Sequence, residues 1–279
     1  MAPQIETKVC NYLYAIVAHS QGCGPGTGTA RAVLRTGEAG LRPGEAVAGR
    51  YGPIGIDGGE VYSIPDGQLA AIVSDVPNAR LRPERRHMAA HHAVHKCLMQ
   101  GARAMLPMSF GVVADSGQAV RRILTLNRDA FLEQLRRVEN KVEMSLVVKY
   151  DIPNIFEYFV RTHPELKAYR DQLFGGGRQP SEDDKIELGR LFDRTLRDER
   201  ADLAQKVVEV LAPLCAEIKE NPPRGESGVM NLACLVARDG QERFERGVFE
   251  AAGRFDDNFS FDYSGPWPPY NFVDVSLQT

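Results

Sequence analysis

Val229-Met230-Asn231-Leu232-Ala233-Cys234-Leu235-Val236-Ala237 is a nearly unbroken apolar run, and the amphipathic stretch 241–253 follows it. Then comes an aromatic alternation, Asn258-Phe259-Ser260-Phe261-Asp262-Tyr263. The first run has the length and apolarity of a buried strand, the second the period of a helix, and the third the period of two of a strand. Upstream, residues 142–150 read as another strand, and helical patterns fill the interval from Asn154 to Glu220. The order strand, helices, strand, helix, strand on one sheet is α+β, close to a ferredoxin-like layer with a helical insertion.

The insertion reads as an antiparallel helical arm, residues 154–174 against 182–220. Pro164 suits a first helical turn, and Gly175-Gly176-Gly177 closes the first limb. Ser181 with Asp184 three residues on gives a capping-box start to the second, with Glu182 and Asp183 at the positive helix end. Leu188, Phe192, Leu196, Leu203, Val207, Leu211, Leu214 and Ile218 form its apolar stripe. A continuous helix of that length would span about 60 Å, so Gly189 and Pro213 are expected to bend or break it.

The preceding half opens with a strand at 12–18. A glycine-rich loop follows from about 20 to 59, containing Gly22-Cys23-Gly24-Pro25-Gly26-Thr27-Gly28. Residues 60–64 and 68–73 read as a hairpin turning at Pro65-Asp66-Gly67. A helix over 83–100, an extended stretch over 105–113 and one helix over 116–140 complete it, the last with Val120, Ile123, Leu124, Phe131, Leu132 and Leu135 on a single stripe.

Charge separates the two halves. Residues 1–138 carry 16 basic and 11 acidic side chains, net +5, whereas 139–279 carry 18 and 26, net −8. With 279 residues, the chain is expected to form two α+β domains, 1–138 and 139–279. The overall charge of −3 excludes a simple basic nucleic-acid glove. Five cysteines, an odd number with no Cys-x-x-Cys pair, point to reduced thiols and a cytoplasmic setting. No apolar run approaches the ~18 residues of a membrane helix, and the first eleven residues show no export signal.

The sequence carries no recognisable active-site motif. The glycines at 22–28 complete neither a dinucleotide fingerprint nor a phosphate loop, so no nucleotide cofactor is expected. His87, His91 and His95 stand at i, i+4 and i+8, which puts them on one helix face. That spacing suits either a polar helix surface or a metal-dependent enzyme, although the zinc-protease glutamate between the histidines is missing. Ser109 lacks a nucleophile elbow. Cys10 and Cys234 adjoin or lie in apolar strands, as inert thiols do.

The segment Gly265-Pro266-Trp267-Pro268-Pro269-Tyr270-Asn271-Phe272-Val273 is the most unusual. Its prolines fix φ and remove backbone donors, so the preceding strand should stop near Gly265. The single Trp could then be a core plug, packed beside Tyr270 and Phe272, or a docking residue; burial of a lone Trp favours the plug.

This segment resembles the C-terminal signature of the gas-vesicle GvpF/GvpL family. In the same order, Leu106-Pro107-Met108-Ser109-Phe110-Gly111 is similar to the family's LP-x-x-FG segment, with Pro107, Phe110 and Gly111 matching. Val142-Glu143 with Leu146-Val147-Val148-Lys149 is similar to its mid-chain strand, and Val236-Ala237-Arg238-Asp239 with Phe244 to its last β–α unit. Ser109 and Met144 depart from the family's basic residue and Trp. The resemblance implies two α+β domains, the second a modified ferredoxin-like fold, and no catalytic activity. It implies an accessory or minor structural protein, in the cytoplasm and on the gas vesicle, that binds the shell protein GvpA and limits its aggregation. Other gas vesicle accessory proteins are further expected partners; nucleic acid and lipid membrane are not.

Overall fold

The structure is a computed structural model and describes residues 9–19, 49–77, 81–175 and 179–274. The glycines at 22–28 lie outside them, as do Gly176 and Gly177. The chain divides into two compact units: Met1–Glu143 with Pro266–Thr279, and Met144–Gly265. The last segment thus groups with the first half of the sequence, where the charge pattern had not placed it.

The first unit is built on a sheet. Strand β1 (Val9–Ala18) is followed by β2 (Arg50–Gly52), β3 (Val61–Asp66) and β4 (Leu69–Pro77). Helix α1 (Arg85–Gly101), β5 (Met105–Pro107) and β6 (Val113–Ala114) come next, and α2 (Gly117–Leu126) and α3 (Arg128–Val138) complete the set. The strand order is β2-β3-β4-β1-β5, with β6 also on β1. The hairpin at 65–67 is present, Gly67 taking the positive φ of its turn. Residues 49–59, read from sequence as loop, instead form β2 and a 3-10 turn at Ile56–Gly58. The single helix expected over 116–140 is two, because the Asn127 side chain donates to the Ile123 carbonyl and the backbone leaves helical geometry there.

Strand β1 is buried on both faces along its interior. Its register against β4 slips between Leu13 and Ala15, a bulge at Tyr14. In a regular strand side chains alternate faces, and an extra residue shifts that alternation. Cys10, Tyr12 and Tyr14 before the bulge, and Ala15 and Val17 after it, therefore join one core with Val94 and Leu98 of α1.

The second unit contains β7 (Lys141–Tyr150), of which residues 144–150 belong to it, and α4 (Ile155–Thr162), α5 (Pro164–Phe174) and α6 (Glu182–Leu211). Then come β8 (Glu217–Asn221), β9 (Gly228–Ala237), α7 (Gln241–Ala252) and β10 (Phe259–Trp267). The sheet order is β10-β7-β9-β8. Helix α6 is continuous for 30 residues, about 45 Å. Gly189 neither bends nor ends it; the stop is at Leu211, before a 3-10 turn containing Pro213. Residues 217–221 are strand, not the end of the helix. Leu211, Leu214 and Ile218 satisfy a helical period, and Glu-Ile-Lys-Glu-Asn offers too few apolar positions to override it. At Gly247 of α7 an added Cβ would lie 2.3 Å from Leu214 and 3.3 Å from Leu211, so this glycine permits the close approach of the two helices.

Strand β10 does not stop near Gly265. It continues to Trp267 because it is the outer strand of its sheet, where a proline's missing N–H is tolerated. Gly265 has φ +142°, a conformation open to glycine. No helix among the described residues is long and apolar enough to cross a membrane.

Candidate functional site

The histidine-bearing face of α1 is not a solvated surface: His87, His91 and His95 are 5%, 3% and 1% exposed. Each ring has its partners within the first unit. His91 Nε2 lies 3.2 Å from the Met108 carbonyl, which can only accept, so the neutral ring carries its proton there. Its Nδ1 then accepts from the Tyr12 hydroxyl at 2.9 Å, and that oxygen accepts in turn from the Gly111 N–H at 3.1 Å. His95 Nε2 donates to the Tyr14 carbonyl at 2.7 Å, and its Nδ1 is 2.8 Å from the Tyr270 hydroxyl. The exposed His92 brings its Nδ1 to the same hydroxyl at 3.2 Å. His87 faces two acceptors, the Arg82 carbonyl and the Asp57 carboxylate, at 2.9 and 3.2 Å.

The β1 bulge makes this possible. Tyr14 has no register partner on β4, and its carbonyl receives both His95 Nε2 and the Met108 N–H. The Tyr14 hydroxyl accepts from Ile56 N at 2.8 Å and bonds Ser74 Oγ at the same distance. Burial raises the phenols of Tyr12, to about 12, and Tyr14. Burial is also the largest cause of the low values of His91, about 3, and His95, about 4. Neighbouring imidazoles lower both further, while the Met108 and Tyr14 carbonyls act in the opposite sense.

The ring nitrogens of His87, His91 and His95 are directed at carbonyls, hydroxyls and one carboxylate, and no group of three potential ligands is gathered among the described residues.

Two of the sequence's singled-out stretches meet here. Pro107 is buried in β5, and the half-buried Phe110 sets its ring edge-on against Tyr12 and His91 at 5.9 and 5.8 Å. Gly111 has open space around its Cβ position, so its φ of +94° rather than crowding explains the glycine. The second stretch is the C-terminal one. Pro268 and Pro269 are buried, and their carbonyls accept from Tyr270 N and Phe272 N at 2.7 and 3.1 Å. Phe272 is wholly buried. The buried Glu143 carboxylate receives both the backbone N–H of Asn271, at 2.8 Å, and its side-chain amide, at 2.6 Å.

Trp267 is not the core plug. It is 47% exposed and Tyr270 is 38% exposed; the buried aromatic ring of the segment is Phe272. Gly265 and Pro266 are exposed as well. The sequence could not reveal Glu143 and Asn271 as the anchor, because a lone acid in a strand and a lone Asn in a loop carry no pattern.

Comparison with known proteins shows what the chain as a whole is similar to. The sequence model of the family described as "Gas vesicle synthesis protein GvpL/GvpF" matches residues 10–274. Gas vesicle protein F of a Streptomyces species is 29% identical over 227 residues, covering 81% of this chain and 92% of that protein. The crystal structure of gas vesicle protein GvpF from Anabaena superposes with a TM-score of 0.78 at 22% identity, covering 96% of this chain and 99% of the other. The corresponding values for GvpF from Microcystis aeruginosa are 0.73, 20%, 95% and 99%.

Proposed function

The chain belongs to the gas vesicle synthesis protein GvpL/GvpF family, and on that premise we propose that it is a gas vesicle accessory or minor structural protein. It binds the shell protein GvpA and limits its aggregation during vesicle nucleation and assembly, in the cytoplasm and on the gas vesicle. Other gas vesicle accessory proteins are further partners. It works by binding and not by catalysis; in keeping with that, the buried imidazoles of α1 are engaged by carbonyls, hydroxyls and a carboxylate of the chain itself. In this reading the Met144–Gly265 unit is a modified ferredoxin-like domain, its order β10-β7-β9-β8 being 4-1-3-2 in order of appearance, with α4 to α6 as the insertion.

The observation that carries the reading is the half-exposed Trp267 at the head of an anchored segment. An aromatic side chain held by rigid neighbours binds with little loss of conformational freedom. Trp267 with Tyr270 therefore supplies an apolar contact for a shell protein whose tendency to aggregate reflects exposed apolar surface. Replacing Trp267 by Ala should leave the melting temperature nearly unchanged and weaken GvpA capture by about 2 kcal/mol or more. Undiminished capture by a folded Trp267→Ala protein would remove the segment from the interface.

A further inference from the structure

Tyr270 is where the C-terminal segment meets α1 through polar bonds, and its phenol has one hydrogen to give. Because the Tyr14 carbonyl takes the Nε2–H of neutral His95, the Nδ1 of that ring is bare and accepts from Tyr270. The Tyr270 oxygen then accepts from His92 Nδ1. We propose that His92 and His95 are positioning residues: they form a proton-sensitive clasp on Tyr270 that fixes the placement of Trp267 and opens when His95 takes a second proton. The proposal rests on the docking role given above to Trp267 and supplies its regulation.

The immediate partners of His95 are imidazoles, a phenol and a carbonyl. On α1 the rings of His91 and His92 lie 4.3 and 6.5 Å away between centroids. From β1 comes the Tyr14 carbonyl, with Tyr12 beyond it on His91, and from the C-terminal segment Tyr270, which in turn faces the Glu143 carboxylate of β7 that Asn271 holds. Burial holds His95 near 4, against the opposing Tyr14 carbonyl and with His92 adding to the depression. Lifting Tyr270 away admits water to the ring and lets its pKa return towards about 6.5. By linkage, opening is then favoured by about 20-fold at pH 5 relative to pH 7. Tyr270 is itself 38% exposed, so solvent already reaches the outer side of the clasp. Pro268 and Pro269 join Tyr270 stiffly to Trp267, so movement of one is felt by the other.

Trp267 is the chain's only tryptophan, and its fluorescence therefore reports this segment alone. Acrylamide quenching and anisotropy should be followed on the full chain from about pH 7.5 to about pH 4, with far-ultraviolet circular dichroism in parallel. In the unmodified protein quenching should rise and anisotropy fall around pH 5 while secondary structure holds. His95→Gln should abolish that transition, and Tyr270→Phe should show the loosened signal already at neutral pH. A Trp267 signal that stays flat until secondary structure is lost would overturn the clasp. So would a His95→Gln protein that keeps the same transition. If His95→Gln does not fold, Tyr270→Phe decides, since neutral-pH quenching identical to the unmodified protein would also overturn it. No GvpA is present in this experiment, so the clasp can fail while docking stands, and docking can fail while the clasp stands.

Discussion

Helices α1 and α6 are both amphipathic and both rich in polar side chains, yet those side chains have opposite fates. On α1 three imidazoles point inward and are at most 5% exposed, each paired to a particular carbonyl, hydroxyl or carboxylate. Along α6 the Glu182–Lys185, Glu187–Arg190 and Asp193–Arg197 pairs, three or four residues apart, stand in solvent, whereas Glu199 and Arg200 further on are half-buried with partners outside the helix. Exposed pairs of that kind contribute only about 0–1 kcal/mol each. Removing one partner of a buried hydrogen bond costs about 1–3 kcal/mol. The α1 face therefore specifies where the chain goes, whereas the α6 face keeps an arm in solution.

The sharpest way to break this comparison is at Phe272, the apolar anchor of the segment that the α1 face receives. Phe272→Ala should lower stability by about 3–5 kcal/mol, since it removes a wholly buried ring. The same truncation at Trp267 should hardly move the melt. A larger loss at Trp267 than at Phe272, measured by urea unfolding, would restore the plug to the indole.

Acid is the next lever, and it acts on α1 but not through the charged pairs of α6. His91 and His95 have folded values near 3 and 4, below the ~6.5 of an unfolded histidine. As pH falls through about 6.5 the unfolded chain gains protons that the folded chain refuses, so stability falls. The loss continues to about pH 3 for His91, and for His95 until the clasp opens around pH 5 and the folded chain takes up that proton; above about 6.5 the full contribution is present. At pH 5 it should reach about 2 kcal/mol per histidine. Denaturant titrations at about pH 7.5 and pH 5 on the unmodified and His95→Gln proteins would test this, and equal pH dependence in the two would contradict it.

The same contrast explains what was legible in the sequence. The hairpin at Pro65-Asp66-Gly67, the α6 cap at Ser181 and the β9–α7–β10 order follow from local pattern, and local pattern was enough. The helix over 116–140 was misread because one Asn side chain competes with the backbone, and β8 because its residues fit a helical period. The histidine spacing was visible, but its meaning was not. A face of imidazoles reads as polar until a bulge at Tyr14 and a segment 175 residues away in sequence from His95 supply the partners that allow burial. Long-range pairing of that kind leaves no periodicity.

The smallest expected effect lies at the N-terminal cap of α6, where sequence reading and structure agree. Ser181 Oγ accepts from Asp184 N at 3.2 Å, and Asp184 Oδ2 accepts from Ser181 N at 2.9 Å, a reciprocal cap. Both residues lie towards the solvent, where water can replace part of what is lost. Glu182, Asp183 and Asp184 remain at the positive helix end whichever residue occupies the cap. Ser181→Ala should therefore cost about 1 kcal/mol, and Ser181→Gly only a few tenths. Because this cap begins a long helix, the loss should appear as fraying of its first turns, seen as faster amide exchange at residues 183–187, with exchange along α1 unchanged. Faster exchange along the α1 histidine face in Ser181→Ala would show that the arm and the buried network are one cooperative unit, and the contrast between them would have to be redrawn.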